Sequence, residues 1–590
     1  MNNKMKGYKL LMAAVAIFTV SGCTNLDETV YDQLSSDNYY NTKMDVVRAV
    51  FRPFEHAYWS VMSRQQLEEL TGDLVAVWKK DTWWEDGGKW SRPHYHTLNP
   101  TDDELVKNEW EGCFQGVMQC NAVIADLGRL DPAKLGYTAE EFEAMVSQVT
   151  TMRAWFYLRL LGSFRNIPLI TSSDVASISL EQVTPKKSFE FIENELKAGV
   201  AALPAKVGAA GNGVNQGQWT KAGAAALLVR LYMGAEKWIG EQRYTDAATY
   251  AENILKGDYG TYSLGQRWDE VFDWNNENCA EVIFAFPSAK GHSHYVYSGD
   301  LFWWTVPART ISSFLDDWKA NSIGDHNCKY GLAPSLAPNG TPYTTQLGRP
   351  VAKFQKYPAD YRLKLYKNLG ESRREGMMLF GHLPFADGSG NVTHPEKDYE
   401  LYLRDAVAEF GDGDPADDAK LPANAPSDMV HGDHNSGWRY VKYPLYGDSD
   451  EGQLQSDYVE IRLAEIVYSL AECKLRSGDA SGAGKLLNSV RKRNYPADKW
   501  IDYAYVPDGT VTLDMAEMLD EWGREFISEG RRRTDLIRFD KFWQGSWWDK
   551  KPDADSHTEI YPIHRDVLNS NPKLKQNPGY AESTAATGNE

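Results

Sequence analysis

The sequence predicts a mainly α-helical fold: helical hairpins stacked into a scaffold and interrupted by one long, irregular, loop-rich insertion. Three observations point there. Ile461, Ala464, Val467, Tyr468, Ala471 and Leu475 recur at three- and four-residue steps, which marks one apolar helix face in a stretch beginning at Asp457. Gly478-Asp479 ends that helix, Asp479 or Ser481 is placed to cap the next, and Ala483, Leu486, Leu487 and Val490 mark a second, shorter helix. The small residues Ala464, Ala471 and Ala483 let the two approach closely, as in a tetratricopeptide-like hairpin. A second copy lies at Ala225 to Leu255. A shift of 236 residues sets Leu231 on Val467, Tyr232 on Tyr468, Ala235 on Ala471, Glu236 on Glu472, Ala247 on Ala483 and Ile254 on Val490. A hairpin that buries one face against a neighbour does not stand alone, so the repeat implies stacking.

The N-terminus reads as a targeting segment. Lys4, Lys6 and Lys9 precede an apolar run from Leu10 to Val20, which is too short to span a membrane. Ser21-Gly22-Cys23 follows, a pattern that resembles a bacterial lipoprotein box and implies cleavage before Cys23 and lipidation of its sulfur. Asp27-Glu28 resembles the acidic surface-export tag of some bacterial lipoproteins. Residues 1–22 are thus a signal peptide and 23–40 an anchor and linker.

Residues 41–263 form an N-terminal helical part. Asn41 or Thr42 is placed to cap a helix faced by Val46, Val47, Val50 and Phe54. A loop rich in tryptophan follows, with Trp78, Trp83, Trp84 and Trp90 around Gly87-Gly88. His94 and His96 flank Tyr95 there, without a third metal ligand. Helices are expected over Glu104–Leu127, over Ala139–Leu161 with Gly162 as its stop, and over Ser188–Leu203. The glycine-rich run at 205–218 lacks the spacing of a phosphate-binding loop.

Residues 264–444 lose helical periodicity. Gly, Pro, Asp and aromatic residues dominate, with a strand-like AEVIFAFP, and Tyr295, Tyr297, Phe302, Trp303, Trp304 and Trp318 gather in one stretch. Arg373-Arg374 and His382 add polar reach. Residues 445–590 return to helices. In Leu519–Phe539, Arg524, Glu525, Glu529, Arg531 and Asp535 are spaced for mutual ion pairs along helix turns. The proline-punctuated tail is expected to be extended.

Composition narrows the function. The net charge of −19 argues against a nucleic-acid or anionic-membrane face. With Cys23 set aside, five cysteines remain; Cys113 and Cys120 are too far apart along one helix to bond, and Cys473 lies on the first hairpin. Cys279–Cys328 is the one pairing left open beside a reading of free structural thiols, and no zinc pattern is present. Aromatic residues are 12% of the chain, with 20 Trp and 32 Tyr, many in loop-like sequence. Flat rings outside a core suit sugars or apolar ligands.

Taken together, these blocks are similar to the SusD/RagB family of outer-membrane nutrient-binding lipoproteins. The resemblance rests on the box at Cys23 and on WEGCFQGVMQCNAVI, MRAWFYLRLLGSFRNIPLI, TKAGAAALLVRLYMGA, AEVIFAFP, DYRL at Asp360–Leu363, YVEIRLAEIVYSLAE, LLNSVRKR, REFISEGRRRTDLIRF and IYPIHRDVLNSNPKLKQNPGY. Gly523 stands where the family usually has Glu, and His564 replaces a common proline. The resemblance implies a tetratricopeptide-like core, an outward-facing lipid anchor, and a SusC-like TonB-dependent outer-membrane transporter as partner, over which the protein acts as a lid. It implies capture of an oligosaccharide, or in some members a peptide, with no catalytic motif.

Three functions are therefore weighed. In a non-catalytic glycan binder, Trp and Tyr faces stack on sugar rings while Asp, Asn and Arg hydrogen-bond hydroxyls; the candidates are Trp83, Trp84, Trp303 and Trp304, then Trp90, Tyr297 and Trp318. A peptide binder would use backbone edges and charge complementarity instead. A glycoside hydrolase would need two suitably spaced carboxylates, and most acids here sit on solvated faces. No cofactor is expected. Calcium is weighed at GDGDPADD (411–418), GDHNSG (432–437) and GDSDEG (447–452), none of which completes a twelve-residue calcium loop.

Overall fold

The computed structural model describes residues 39–80, 87–174, 180–205, 217–273, 275–288, 330–369, 374–383, 401–411, 418, 421–422, 424–443 and 456–581. Helix α1 (Lys43–Leu70) begins at Thr42, whose hydroxyl accepts from the Asp45 amide while Asp45 accepts from the Thr42 amide. Strand β1 (Val75–Ala76) and the short helix α2 (Ser91–Tyr95) lead to α3 (Glu104–Leu127), with the bounds its periodicity predicts. Thr138 closes a second reciprocal cap at the start of α4 (Ala139–Phe164). Then come α5 (Pro185–Ala202), α6 (Lys221–Ile239) and α7 (Tyr244–Lys256). Gly240 and Gly257 take φ of 73° and 87° where α6 and α7 end, a conformation open to glycine without strain.

Gly162 does not stop α4. The helix runs on to Phe164, and Gly162 lies inside it, where a Cβ would meet the Trp238 ring at an ordinary contact distance of 3.6 Å.

Strand β2 (Val282–Phe286) realises the predicted AEVIFAFP strand. Its partner is β10 (Tyr458–Arg462), antiparallel, with Tyr458 opposite Phe286 and Arg462 opposite Val282. This corrects the expectation of helix from Asp457. All five residues of β10 are buried, so periodicity could not distinguish strand from buried helix there. Helix α9 (Leu463–Arg476) begins directly after it, and α10 (Ala480–Arg491) follows Gly478, at φ 90°, with the Asp479 carboxylate accepting from the Gly482 amide as predicted. Between β2 and β10 the described chain holds small pieces. They are β3 (Gly331–Leu332), helix α8 (Pro350–Gln355), β4 (Lys367–Asn368), β5 (Arg374–Glu375), β6 (Met378–Leu379), β7 (Gly381–Leu383), β8 (Leu401–Leu403) and β9 (Arg439–Tyr440). After α10 come α11 (Met515–Glu525), α12 (Arg532–Arg538) and α13 (Arg565–Ser570), the last a short helix in the tail expected to be extended.

The larger helices pack in a row: α1 on α3, α3 on α4, α4 on α5, α5 on α6, α6 on α7, α7 on α9, and α9 on α10. The two sequence copies, α6–α7 and α9–α10, are therefore consecutive hairpins of one stack. The matched positions show why: Leu231 and Val467, Tyr232 and Tyr468, Ala235 and Ala471, Ala247 and Ala483, and Ile254 and Val490 are all buried. One core gathers around Trp155, Phe156, Trp219 and Phe284, where Trp219 and Phe284 stack at 3.8 Å. A second, around Tyr468, Leu487 and Trp522, fills the C-terminal hairpin, and a third surrounds Trp78 and Tyr440. Cys113, Cys120, Cys279 and Cys473 are free thiols; Cys328 lies outside the described residues. No helix among the described residues is long and apolar enough to cross a membrane.

The charged residues of 519–539 pair differently from expectation. Arg531 and Asp535 do join one turn apart at 3.1 Å. The helix itself breaks between α11 and α12, where Ser528 and Gly530 take φ of 61° and 66°. Glu525 therefore turns to distant partners, accepting from Arg462 at 2.8 Å, Arg493 at 3.0 Å and Arg362 at 3.0 Å. Glu460, on β10, likewise accepts from Arg64 of α1 and Arg230 of α6 at 2.6 Å and 2.7 Å. These pairs are buried, and they tie the loop-rich part and both helical parts together.

Candidate functional site

Most of the ring-bearing candidates fall outside the described residues: Trp83, Trp84, Tyr297, Trp303, Trp304 and Trp318, along with the lipidation residue Cys23. The structure does describe the roots of the stretches that carry the tryptophans. β1 and β3 pair antiparallel, with Val75 opposite Leu332 and Ala76 opposite Gly331. The chain leaving β1 through Val77–Lys80 and the chain entering β3 at Tyr330 therefore lie at the same end of this ladder. Lys80 precedes residues 81–86, and Tyr330 follows residues 289–329. Two stretches far apart in sequence are rooted side by side.

Trp78 anchors this junction. Its indole is fully buried, and a Cβ added to Gly331, Gly432 or Gly437 would come within 2.0, 2.5 and 2.2 Å of it. These glycines form a slot that no larger residue permits. Arg439 lies over the ring at 4.9 Å, and Trp548 meets it edge-on. Trp90, a candidate from the sequence, is 5% exposed and packed in the same core, with the Lys89 ammonium over its ring. Its faces are occupied by packing.

A backbone hydrogen bond joins this two-stranded pair to the next. The Leu332 amide donates to the Trp438 carbonyl at 2.9 Å, and β9 pairs in turn with β6, Met378 opposite Tyr440. At this edge Phe380 and Trp438 stack with ring centroids 4.3 Å apart and planes at 17°; both are half-buried, with the rest open to solvent. Next to Phe380, β7 and β8 pair with His382 opposite Tyr402, whose rings meet edge-on at 4.6 Å. Four rings thus line one edge beside the roots of the two tryptophan-rich stretches. The sequence reading named His382 but missed Phe380, Tyr402 and Trp438. The signal was faint: an apolar run broken by Gly381 at φ 70°, and a tryptophan directly after Gly437 at φ 68°.

Two cations beside these rings are held by acids. Arg404 donates through Nε to both oxygens of Asp418, at 2.9 and 2.7 Å, and its guanidinium covers Tyr402 at 4.7 Å. Lys364 pairs with Glu375 at 2.7 Å and holds that exposed carboxyl below its usual range. Behind the edge, His94 meets one oxygen of Asp549 at 2.6 Å while the Tyr95 hydroxyl donates to the other at 2.7 Å. Burial, followed by the Asp549 charge, pushes the Tyr95 phenol up. His96 turns instead to Asp553, so the two histidines share no ligand position.

Of the three acidic runs weighed for calcium, 412–417 and 447–452 lie outside the described residues. In the third, Asp433 accepts from the amides of Phe410, Gly411 and Asn435 at 2.6, 3.0 and 2.9 Å, which makes it the centre of a turn. Among the described residues no three His, Cys, Asp or Glu side chains come together as a metal-ligand set.

Comparison with known proteins bears on this architecture. Residues 417–580 match a model described as the SusD family, and residues 26–233 one described as starch-binding, associating with the outer membrane. Starch-binding protein SusD of Bacteroides thetaiotaomicron is 34% identical over 398 residues, which are 62% of this chain and 61% of that protein. The chain thus spans less than two thirds of that relative. SusD-like protein P2 of Formosa agariphila is 24% identical over 596 residues, 98% of this chain and all of that one. Among solved structures, surface glycan-binding protein A from Bacteroides uniformis superposes with a TM-score of 0.63 at 17% identity, covering 91% of this chain and 99% of that one.

Proposed function

We propose, from the premise that this chain belongs to the SusD family, that it is a non-catalytic glycan-binding protein of the cell surface. It holds an oligosaccharide against the ringed edge beside the joined β1–β3 and β6–β9 pairs and passes it, uncleaved, to a SusC-like TonB-dependent transporter. A lipid on Cys23 anchors it to the outer membrane, facing outward. The observation that carries the reading is the partly buried, partly exposed Phe380–Trp438 stack beside the joined roots of two tryptophan-rich stretches. The printed names of the relatives, starch-binding and surface glycan-binding, support the same reading.

The chemistry is contact without bond-making. A pyranose presents a face of C–H groups that packs on an aromatic plane, and each ring adds on the order of 1 kcal/mol. Two or three such contacts give weak, reversible binding in the micromolar range or above, about 1.4 kcal/mol for each tenfold. Rapid release suits transfer to a second protein. The sequence candidates Trp83, Trp84, Tyr297, Trp303, Trp304 and Trp318 lie outside the described residues and are proposed as further contacts.

Calorimetric titration of the mature chain with starch, laminarin and xylan oligosaccharides tests the proposal. One of these is expected to bind, and Trp438→Ala is expected to weaken it about fivefold, near 1 kcal/mol, without changing the circular dichroism spectrum. Unchanged affinity in Trp438→Ala would remove this edge from the site. Shortening of the oligosaccharide during the titration would show an enzyme instead.

A further inference from the structure

We infer, on the glycan-binding reading above, that Trp78 is a positioning residue of the site. Fully buried and out of reach of any ligand, it sets where the Trp438 ring stands, and through that ring it sets the affinity. The indole works as a gauge with two ends. Its Cδ1 edge faces Gly432, where an added Cβ would come within 2.5 Å, and its Cη2 corner faces Gly331 and Gly437, at 2.0 and 2.2 Å. At both ends the ring meets backbone with no side chain between. Gly437 directly precedes Trp438.

Residues 436–439 are wrapped on this ring. Arg439 lies over it at 4.9 Å and donates through Nη1 to the carbonyls of Ser436 and Gly437, at 2.7 and 2.6 Å. Trp438 stands between Gly437 and Arg439, both of which meet the indole, and it alone of residues 435–440 is not buried. Backbone bonds pin the same segment from other sides. The Gly437 amide donates to the Ala406 carbonyl at 2.9 Å, the Ser436 hydroxyl to the Ala408 carbonyl at 2.8 Å, and the Leu332 amide to the Trp438 carbonyl at 2.9 Å. The segment is thus set between these bonds and the indole, and its setting places Trp438 against Phe380 at 4.3 Å.

What the slot uses is the shape of the ring. The Trp78 indole N–H is buried and meets no acceptor among the described residues, a penalty that a phenyl ring would not carry. Phenylalanine would therefore serve the core as an apolar ring, but it is shorter. It would fill the Gly432 end and leave the far end, beside Gly331 and Gly437, empty. Close-packed interiors settle into such a gap, and the backbone that settles here is the one carrying Trp438. A platform that has shifted or gained freedom binds less well, because a rigid site owes its affinity to rings held in place before the ligand arrives.

A double-mutant cycle tests the inference, read by calorimetric titration of the mature chain with whichever of the starch, laminarin and xylan oligosaccharides it binds. Trp78→Phe is expected to weaken binding about threefold, less than loss of the whole Trp438 ring, while thermal unfolding stays a single cooperative transition. In a Trp438→Ala background the same substitution is expected to change affinity no further, because the ring it positions is gone. Arg439→Lys keeps the charge but loses the fork across the Ser436 and Gly437 carbonyls. It is expected to show the same pattern, and it carries the test if Trp78→Phe does not fold. A loss that persists in the Trp438→Ala background, or full affinity in both variants, would overturn the inference and leave glycan binding intact. Absence of binding by the unaltered chain would defeat the glycan-binding reading itself, and this inference with it.

Discussion

Glu525 and Glu460 show at the residue scale how this fold manages buried charge. Each carboxylate is removed from water, which alone raises its pKa, and each is surrounded by guanidiniums that outweigh that effect. Arg64 and Arg230 hold Glu460 down at about 2, and Arg462, Arg493 and Arg362 hold Glu525 far below the usual carboxylate range. Such groups add little when whole but are costly to break. Glu525→Ala would leave three buried guanidiniums short of a partner, and a loss of about 3–5 kcal/mol is expected in guanidinium-induced unfolding. Acidity acts on the same web. Because Glu460 and Glu517 sit at about 2 when folded and near 4.5 when unfolded, their contribution is complete above pH 4.5 and disappears as the pH falls toward 2. Unfolding free energies measured at pH 7, 5, 4 and 3 should fall across the last interval. A flat profile from 5 to 3 would mean that these carboxylates titrate alike in the folded and unfolded states. The sequence marked Arg524, Glu525, Glu529 and Arg531 as an ion-pairing group, yet it placed the pairing within one helix. Arg531–Asp535 follows that local rule, and Arg524 and Asp535 also pair one turn away with Glu521 and Arg538; the partners of Glu525 arrive from three other segments, which no local spacing records.

Among the elements, the helices were the legible part. Glu104–Leu127 has the bounds its periodicity implies, and Thr42 and Asp479 cap the helices they were placed to cap. The misreadings share a cause: tertiary packing overrides local signals. Tyr458–Arg462 is buried on both faces, charged Glu460 and Arg462 included, so its residues carry no period, and Gly162 lies inside a helix that its packing carries past it to Phe164. Gly484 on α10 is where packing does demand a glycine. A Cβ there would come 2.1 Å from the Val506 carbonyl oxygen, part of the backbone and unable to swing aside. Gly484→Ala should therefore destabilise the protein by about 1–3 kcal/mol despite the better helix propensity of alanine. Equal or higher thermal stability in this variant would show that the 504–511 loop yields to α10.

For the whole molecule, the repeat at 236 residues predicted stacked hairpins, and α6–α7 against α9–α10 is that stack. The ringed edge was legible only in kind. Aromatic abundance in loop-like sequence announced a surface for flat ligands, but Phe380 and Trp438 become neighbours only once β6 meets β9, and the two tryptophan-rich stretches share a root only because β1 meets β3. The proposed lipid anchor is tested on the whole chain as well. Cys23→Ala should abolish incorporation of labelled palmitate and release the protein from the outer membrane, with glycan affinity unchanged. Retained label in that variant would place the lipid elsewhere.

The pairing of β2 with β10 has one more consequence. It clamps the loop-rich stretch at its two ends, as a clasp holds a purse, and the frame outside it closes whatever the length within. Doubling a flexible loop costs only about 0.6 kcal/mol of closure entropy. Residues can therefore be gained, lost or exchanged between Phe286 and Tyr458 with little penalty to the helices, which leaves the loop-rich stretch free to vary while the frame is kept.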